Sequence, residues 1–369
     1  MLSGMNETPE KSPSEPPERP DVYGGDNSAD LACGAIALPS TVAGSGALDR
    51  LVETARDYAR QAASENTLKA YAKDWAHFAR WCRMRGADLL PSSPQLIGLY
   101  IADLAASGGK APALSVSSIE RRLSGLTWGY AQRGERLDRR DRHIASVLAG
   151  IRRKHARPPA QKEAILPEDL RDMLATLPHD LRGLRDRAIL LIGFAGGLRR
   201  SEIVSLDHSK DDTPNSNGWV EVLEDGVLIT LRGKTGWREA EIGRGSSDQT
   251  CPVHALTQWL HYARIDFGPI FVAVSRNGRQ ATSDRLSDKH VARLVKQTVE
   301  DAGLRPELSK IERLALYSGH SLRAGLASSA EVDERYVQKQ LGHASAEMTR
   351  RYQRRRDRFR VNLTKAAGL

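Results

Sequence analysis

The chain has only three cysteines in 369 residues, and Cys33, Cys82 and Cys251 are widely separated and in no metal-binding spacing. That scarcity argues against a disulfide framework and for a reducing compartment. There is no uninterrupted apolar run of about 18 residues, so no membrane span is expected. The opening Met-Leu-Ser-Gly-Met-Asn-Glu lacks the basic start and apolar stretch of a secretion signal. The expected location is cytoplasmic, with association to the nucleoid. Large apolar side chains are nearly missing from residues 1–46, which are rich in Pro, Glu, Ser and Gly. Such a segment cannot offset its own ordering entropy and is expected to be disordered.

Charge is unevenly spread. The formal net charge is +9, yet residues 1–46 hold seven acidic side chains and two basic ones, a balance of −5. The remainder therefore carries +14, with 53 Lys and Arg against 39 Asp and Glu. A folded part that basic suits a polyanion, because neutralising phosphates releases counterions. Charge alone fits a soluble basic protein equally well.

From 47 to 156 the apolar spacing is helical. Ser64 precedes Leu68, Tyr71, Ala72, Trp75, Phe78, Ala79 and Cys82, set three and four residues apart, and Gly86 ends the run. The opposite face carries Lys69, Lys73 and Arg80. Further helices are expected at 93–107, 115–133 and 138–155. Residues 157–164, with Pro158-Pro159, read as a linker. Beyond it, Leu166-Pro167 opens a helix and an apolar helix runs from 184 to Gly196-Gly197. Asp225-Gly226 between two alternating runs marks a hairpin, with Lys234 in the turn after its second strand. From about 253 onward the pattern is helical again.

The chemistry concentrates in five short segments: Gly-Leu-Arg199-Arg-Ser-Glu202, Arg-Gly-Lys234-Thr, Ser-Gly-His320-Ser-Leu-Arg323, Leu-Gly-His343 and Tyr352. His320 and Arg323, three apart, occupy neighbouring positions on one helical face. Tyr352 follows His343 by nine residues, among Arg350, Arg351, Arg354, Arg355 and Arg356. A phenol, with pKa about 10, needs proton removal or electrostatic help to attack. Guanidinium forks offer that help at a phosphodiester. Taken singly, each residue has a bland reading: a surface arginine, a solvated turn lysine, a structural histidine, a helix-surface tyrosine. His320 with His343 could suggest a metal, but zinc ligands are spaced more closely or accompanied by Cys and carboxylates.

Together the segments resemble the tyrosine recombinase (phage integrase) family, most closely its Cre-like members, over residues 48 to the end. The resemblance implies a mainly α fold with a small antiparallel sheet. A helical, SAM-like core-binding domain (47–156) would precede an α+β DNA breaking–rejoining domain (165–369) that ends in a tail helix at 357–367. It implies catalytic roles for Arg199, Lys234, His320, Arg323, His343 and Tyr352, with Glu202 supporting and Arg200 second choice for the first arginine. Thr67, Lys69, Lys73, Arg121, Arg122, Lys289 and Arg293 would contact DNA. The implied partners are double-stranded DNA with a specific inverted-repeat site and a homo-tetramer spanning two sites, the domains clamping the duplex. No metal or cofactor is expected. One departure is the 20-residue interval from Arg323 to His343, shorter than is usual in the family. Alternatives are a type IB topoisomerase-like relaxing enzyme, a catalytically weak DNA-binding protein of the same fold, and a metal-dependent nuclease using Asp207, Asp211 and Asp212, which sit in a loop expected to be solvated.

Overall fold

The computed structural model describes residues 47–61, 64–106, 113–158, 161–233, 236–330 and 332–342, with Glu347 and Arg350. The chain divides into two units, Met1–Pro158 and Pro159–Leu369.

The first unit contains α1 (Ala47–Gln61), α2 (Glu65–Met84), α3 (Pro94–Ala105), α4 (Val116–Ala131) and α5 (Arg142–His155). Each of α2 to α5 starts where a short polar side chain can accept a backbone N–H. Ser64, Ser93 and Ser115 accept from the N–H groups of their third neighbours, Thr67, Leu96 and Ser118 respectively, and Asp141 accepts from that of His143. Such caps are worth about 1 kcal/mol each. Asp141 explains why α5 begins at Arg142 rather than near 138: the preceding residues form a turn that the cap closes. The core is aromatic. Trp75 meets Tyr130 edge-on at 5.0 Å, and Phe78 meets Tyr100 at 4.9 Å. Each such pair adds about 0.5–1.5 kcal/mol beyond its buried area. The apolar stripe of α2 buries Trp75, Phe78, Trp81 and Cys82, leaving Lys69, Lys73 and Arg80 exposed.

The second unit is built on α7 (Leu181–Ala195), whose residues Ala188 to Gly193 are all buried. Around it lie α6 (Pro167–Ala175), α8 (Arg200–Val204), α9 (Pro252–Ala263), α10 (Asp288–Asp301), α11 (Lys310–Leu316), α12 (His320–Ser329) and α13 (Glu334–Leu341). A four-stranded sheet has the order β1 (Leu206–Asp207), β2 (Gly218–Val222), β3 (Gly226–Gly233), β4 (Gly236–Gly243). β1 pairs with β2 in parallel, and the other neighbours are antiparallel. β3 and β4 stay in register up to Gly233 opposite Gly236. The fold class is thus mainly helical with small sheets, as the sequence pattern implies.

Two features depart from expectation. A second ribbon, β5 (Val272–Val274) with β6 (Ala281–Arg285), interrupts the stretch expected to be helical after 253. It is too short and irregular to show a period of two, and Arg182 fastens its turn by donating to the carbonyls of Ser275 and Arg276. The acidic loop after β1 is pinned rather than solvated. Asp207 is fully buried, paired with Arg285 and accepting from Thr213 at 2.6 Å. Asp212 accepts from the N–H groups of Ser209 and Gly268. Two of the three aspartates considered for a metal thus serve the loop itself. Among the described residues, no helix is long and apolar enough to cross a membrane.

Candidate active site

Arg199 is the N-cap residue of α8. Its N–H donates to Glu202 Oε2 at 2.8 Å, and its Nη1 donates to Glu202 Oε1. The acidic residue at the third helical position thus folds back on the helix start, as in the acidic half of a capping box. Arg200 goes elsewhere, pairing with Asp288 of α10 at 3.0 Å. The two neighbouring arginines thus take different partners, Glu202 for Arg199 and Asp288 for Arg200. Burial alone would raise the pKa of the Glu202 carboxyl. The N–H of Arg199 and the guanidiniums of Arg238 and Arg199 outweigh it and hold the group below the ordinary carboxylate value.

Gly233 ends β3 beside this pair: a Cβ there would lie 3.6 Å from Glu202 Oε1 and 3.9 Å from Arg199 Nη1. Lys234 follows directly and lies outside the described residues, as do His343 and Tyr352 and the expected segments 1–46 and 357–367.

His320 and Arg323 sit in the first turn of α12. His320 keeps an exposed edge, but its ring is desolvated, and that lowers its pKa most. The positive charges of Arg323 and Arg199 lower it further, so all three side chains share one electrostatic neighbourhood. Arg323 is 1% exposed, and its guanidinium spans two carbonyls: Nη1 donates to Gly197 and Nη2 to Leu341. Those contacts fix the plane of its five-donor fork.

The contacts of Arg323 have a consequence for the chain path. Gly197 stands two residues before Arg199, and Leu341 stands two residues before His343. Gly197 adopts φ +55°, the left-handed region open to glycine, and turns the chain from α7 toward Arg199. At the other end, α13 leaves its last carbonyls without intrahelical partners. Arg323 takes that of Leu341, and Arg238 takes that of Gln340 at 2.6 Å. Cations at a helix C-terminus also favour the macrodipole. The short interval between Arg323 and His343 has therefore not detached the end of α13 from Arg323.

Arg238 is the residue that sequence reasoning missed. Its Nη2 donates to Glu202 Oε2 at 3.0 Å, with only 10% of the side chain exposed. A signal exists in strand parity: 238 shares a face with the buried Ala240 and Ile242. An arginine on a core-facing strand position requires a buried partner.

The residues expected at a DNA surface divide. Lys73, Lys289 and Arg293 are exposed, the last two one turn apart on α10. Lys69 is exposed and pairs with Glu65 at 2.6 Å. Thr67 bonds Ser64 at the start of α2. Arg121 is half-exposed and bound to the buried Asp74. Arg122 points inward, its side chain 16% exposed and its Nη1 donating to Tyr100 at 2.9 Å.

Comparison with known proteins gives the family. The Phage integrase family profile matches residues 163–358, and that of the Phage integrase, N-terminal SAM-like domain matches 56–128. The Integrase/recombinase xerD homolog of Selenomonas ruminantium is 32% identical over 85% of this chain and 89% of its own length. Tyrosine recombinase XerC 1 of Ralstonia nicotianae is 27% identical over 78% of this chain and 83% of its own. In three dimensions, the XerH site-specific recombinase in its post-cleavage complex with the palindromic difH substrate aligns with a TM-score of 0.55 and 18% identity, covering 86% of this chain and 83% of that one. The chain belongs to the phage integrase family, the tyrosine recombinases that transfer DNA strands.

Proposed function

We propose that the chain is a site-specific recombinase that cuts and rejoins DNA through a 3′-phosphotyrosyl intermediate on Tyr352. One observation carries the reading. Arg323 ties the carbonyl two residues before Arg199 to the carbonyl two residues before His343. The described segments that lead in sequence to Arg199 and to His343 are thereby joined, and Gly233, which precedes Lys234 in sequence, lies beside Arg199 and Glu202.

In this reading Arg199, Arg323 and His343 hold the scissile phosphate and stabilise charge in the pentacoordinate transition state. The Tyr352 oxygen bonds to phosphorus as the bond to the 5′ oxygen breaks. The phenolic proton passes to His320, whose depressed pKa keeps the imidazole a neutral acceptor near pH 7. Lys234 protonates the departing 5′ oxygen, which leaves as a hydroxyl. A 5′-hydroxyl from a partner duplex reverses the step, so the bond energy is retained in the phosphotyrosine and no metal enters. The substrate is a duplex with an inverted-repeat site, paired in a tetramer that passes through a Holliday junction. Lys69, Lys73, Lys289 and Arg293 supply phosphate and base contacts.

The tail fits an assembly role. Phe359, Leu363 and Ala366 fall on one helical face of the segment expected at 357–367. A cavity of about 280 Å³, lined by Leu326, Ala330, Val332, Tyr336 and Val337 beside Glu239 and the Glu241–Lys339 pair, offers an adjoining subunit's tail an apolar seat with a charged rim. Deleting 357–369 is expected to impair recombination more than single-site binding; equal loss of both contradicts this.

A nicked suicide duplex carrying the native site tests the chemistry. Wild type in EDTA should form an SDS-resistant adduct that Tyr352→Phe abolishes. No adduct leaves a DNA-binding protein, and relaxation of plasmids lacking any site leaves a topoisomerase.

A further inference from the structure

No step written above uses Arg238, yet it joins more of the site than any other side chain outside the motif. We infer that Arg238 is a positioning residue for strand cleavage: it clamps the Arg199–Glu202 pair to the C-terminal end of α13, the helix that precedes His343 in sequence, and so fixes the register of the Arg199 guanidinium against that helix end. The inference rests on the recombinase reading above.

Its geometry is that of a bracket. One nitrogen binds the carboxylate that orients Arg199, and the other binds the carbonyl of Gln340, 102 positions along the chain from Arg238. Only a planar fork makes both bonds at once; a lysine ammonium reaches one. The chain then passes directly over the bracket. A Cβ at Gly342 would fall 2.4 Å from Arg238 Cδ, so the left-handed Gly342 (φ +59°) both permits the approach and turns the backbone into His343.

The fold alone does not require an arginine here. A buried ion pair repays its desolvation poorly, and well-packed apolar residues often replace one without loss of stability. The end of α13 also has other fastenings: Lys339 to Glu241 at 3.1 Å, and the Gln340 amide to the carbonyls of Glu241 and Ala195. The helix should stay docked without Arg238, while its terminal register loosens. Arg323 already ties the backbone before Arg199 to the end of α13; what Arg238 adds is a tie made through the Glu202 carboxylate itself.

The charge environment supplies an independent readout. The Glu202 carboxylate faces Arg199 from the start of α8, Arg238 from β4, and the Gly233 end of β3, which precedes Lys234. His320 and Arg323 lie across from them on α12. Removing the Arg238 cation leaves burial less opposed, so the carboxyl protonates at higher pH.

Single-turnover cleavage of the suicide duplex should be compared in wild type, Arg238→Met, Arg238→Lys and Glu202→Gln. Arg238→Met should bind site DNA as wild type does and melt within a few degrees of it. Its cleavage should slow by about a hundredfold, the scale expected for a misplaced catalytic group. Its acid limb, set by His320 in wild type, should gain a second step from the Glu202 carboxyl, Arg238→Lys should recover part of the rate, and the Met substitution should add little on top of Glu202→Gln. Wild-type cleavage and an unmoved pH profile in Arg238→Met overturn the proposal. So does slow cleavage explained by a lowered melting temperature with the profile in place. If wild type itself forms no adduct, the recombinase reading has failed and this inference with it.

Discussion

The open face of α2 in the first unit and the Arg199–Arg238–Arg323 cluster in the second place their cationic side chains in opposite ways. In the amino-terminal unit, Lys69, Lys73 and Arg80 stand on the open face of α2, with at most an i,i+4 partner such as Glu65. In the carboxyl-terminal unit, Arg323 is almost wholly buried and Arg238 nearly so, each holding backbone carbonyls. Exposed, long-stemmed charges suit a lattice of phosphates read through counterion release. Buried, hydrogen-bonded ones are fixed in advance and suit a single phosphate whose charge changes during reaction. One net charge thus serves two physical tasks, separated by burial.

The contrast breaks most sharply at the two motif arginines. Arg323→Ala should lower cleavage by about 10²–10³-fold, the usual loss for a preorganised donor. It also strands the carbonyls of Gly197 and Leu341, at about 1–3 kcal/mol apiece. Arg199→Ala should lose a similar factor in cleavage with little change in melting temperature, since its side chain is 33% exposed. Suicide-substrate kinetics beside thermal denaturation separate the floor of the site from its rim.

His320 gives the next effect. A folded-state pKa below the unfolded one means that the unfolded chain takes up protons first as pH falls. Stability linked to this histidine is therefore complete above the ordinary histidine value and is lost on acidification toward the depressed one. Cleavage should lose its neutral proton acceptor over the same range. In His320→Gln the rate should be low and its acid limb flattened, which a stopped-time pH series checks.

Arg122→Ala tests the inward-turned cation of the first unit. It leaves the Tyr100 hydroxyl and the buried Asp74 with fewer partners, so a stability loss of about 1–3 kcal/mol is expected. DNA affinity at fixed salt should change less than for the exposed lysines. Lys69→Ala and Lys73→Ala carry the smallest effect: each should reduce the slope of log affinity against log salt by about one. Cleavage at saturating protein should be unchanged.

The main elements were legible because their signals are local. Ser64, Ser115 and the Asp225-Gly226 turn act within a few residues, and the apolar periods of α2 and α7 report their buried faces directly. Arg199, His320 and Arg323 were legible as candidates because short motifs carry them, and the structure sets their charges in one neighbourhood. The roles of Arg238, Arg285 and Arg122 were not, since what defines each is a partner 22 or more residues away in sequence: Glu202 and Gln340, Asp207, and Tyr100. Asp207 was misjudged as a solvated loop residue for the same reason. An arginine at a core-facing strand position was the one sequence signal that could have exposed such a pairing.

Peptide mapping of the covalent protein–DNA adduct tests the central claim most directly. After nuclease and protease digestion, the account predicts a nucleotide remnant on the peptide containing Tyr352, linked through a 3′-phosphate. A remnant on Tyr336 or any other residue, or linkage through a 5′-phosphate, would contradict it.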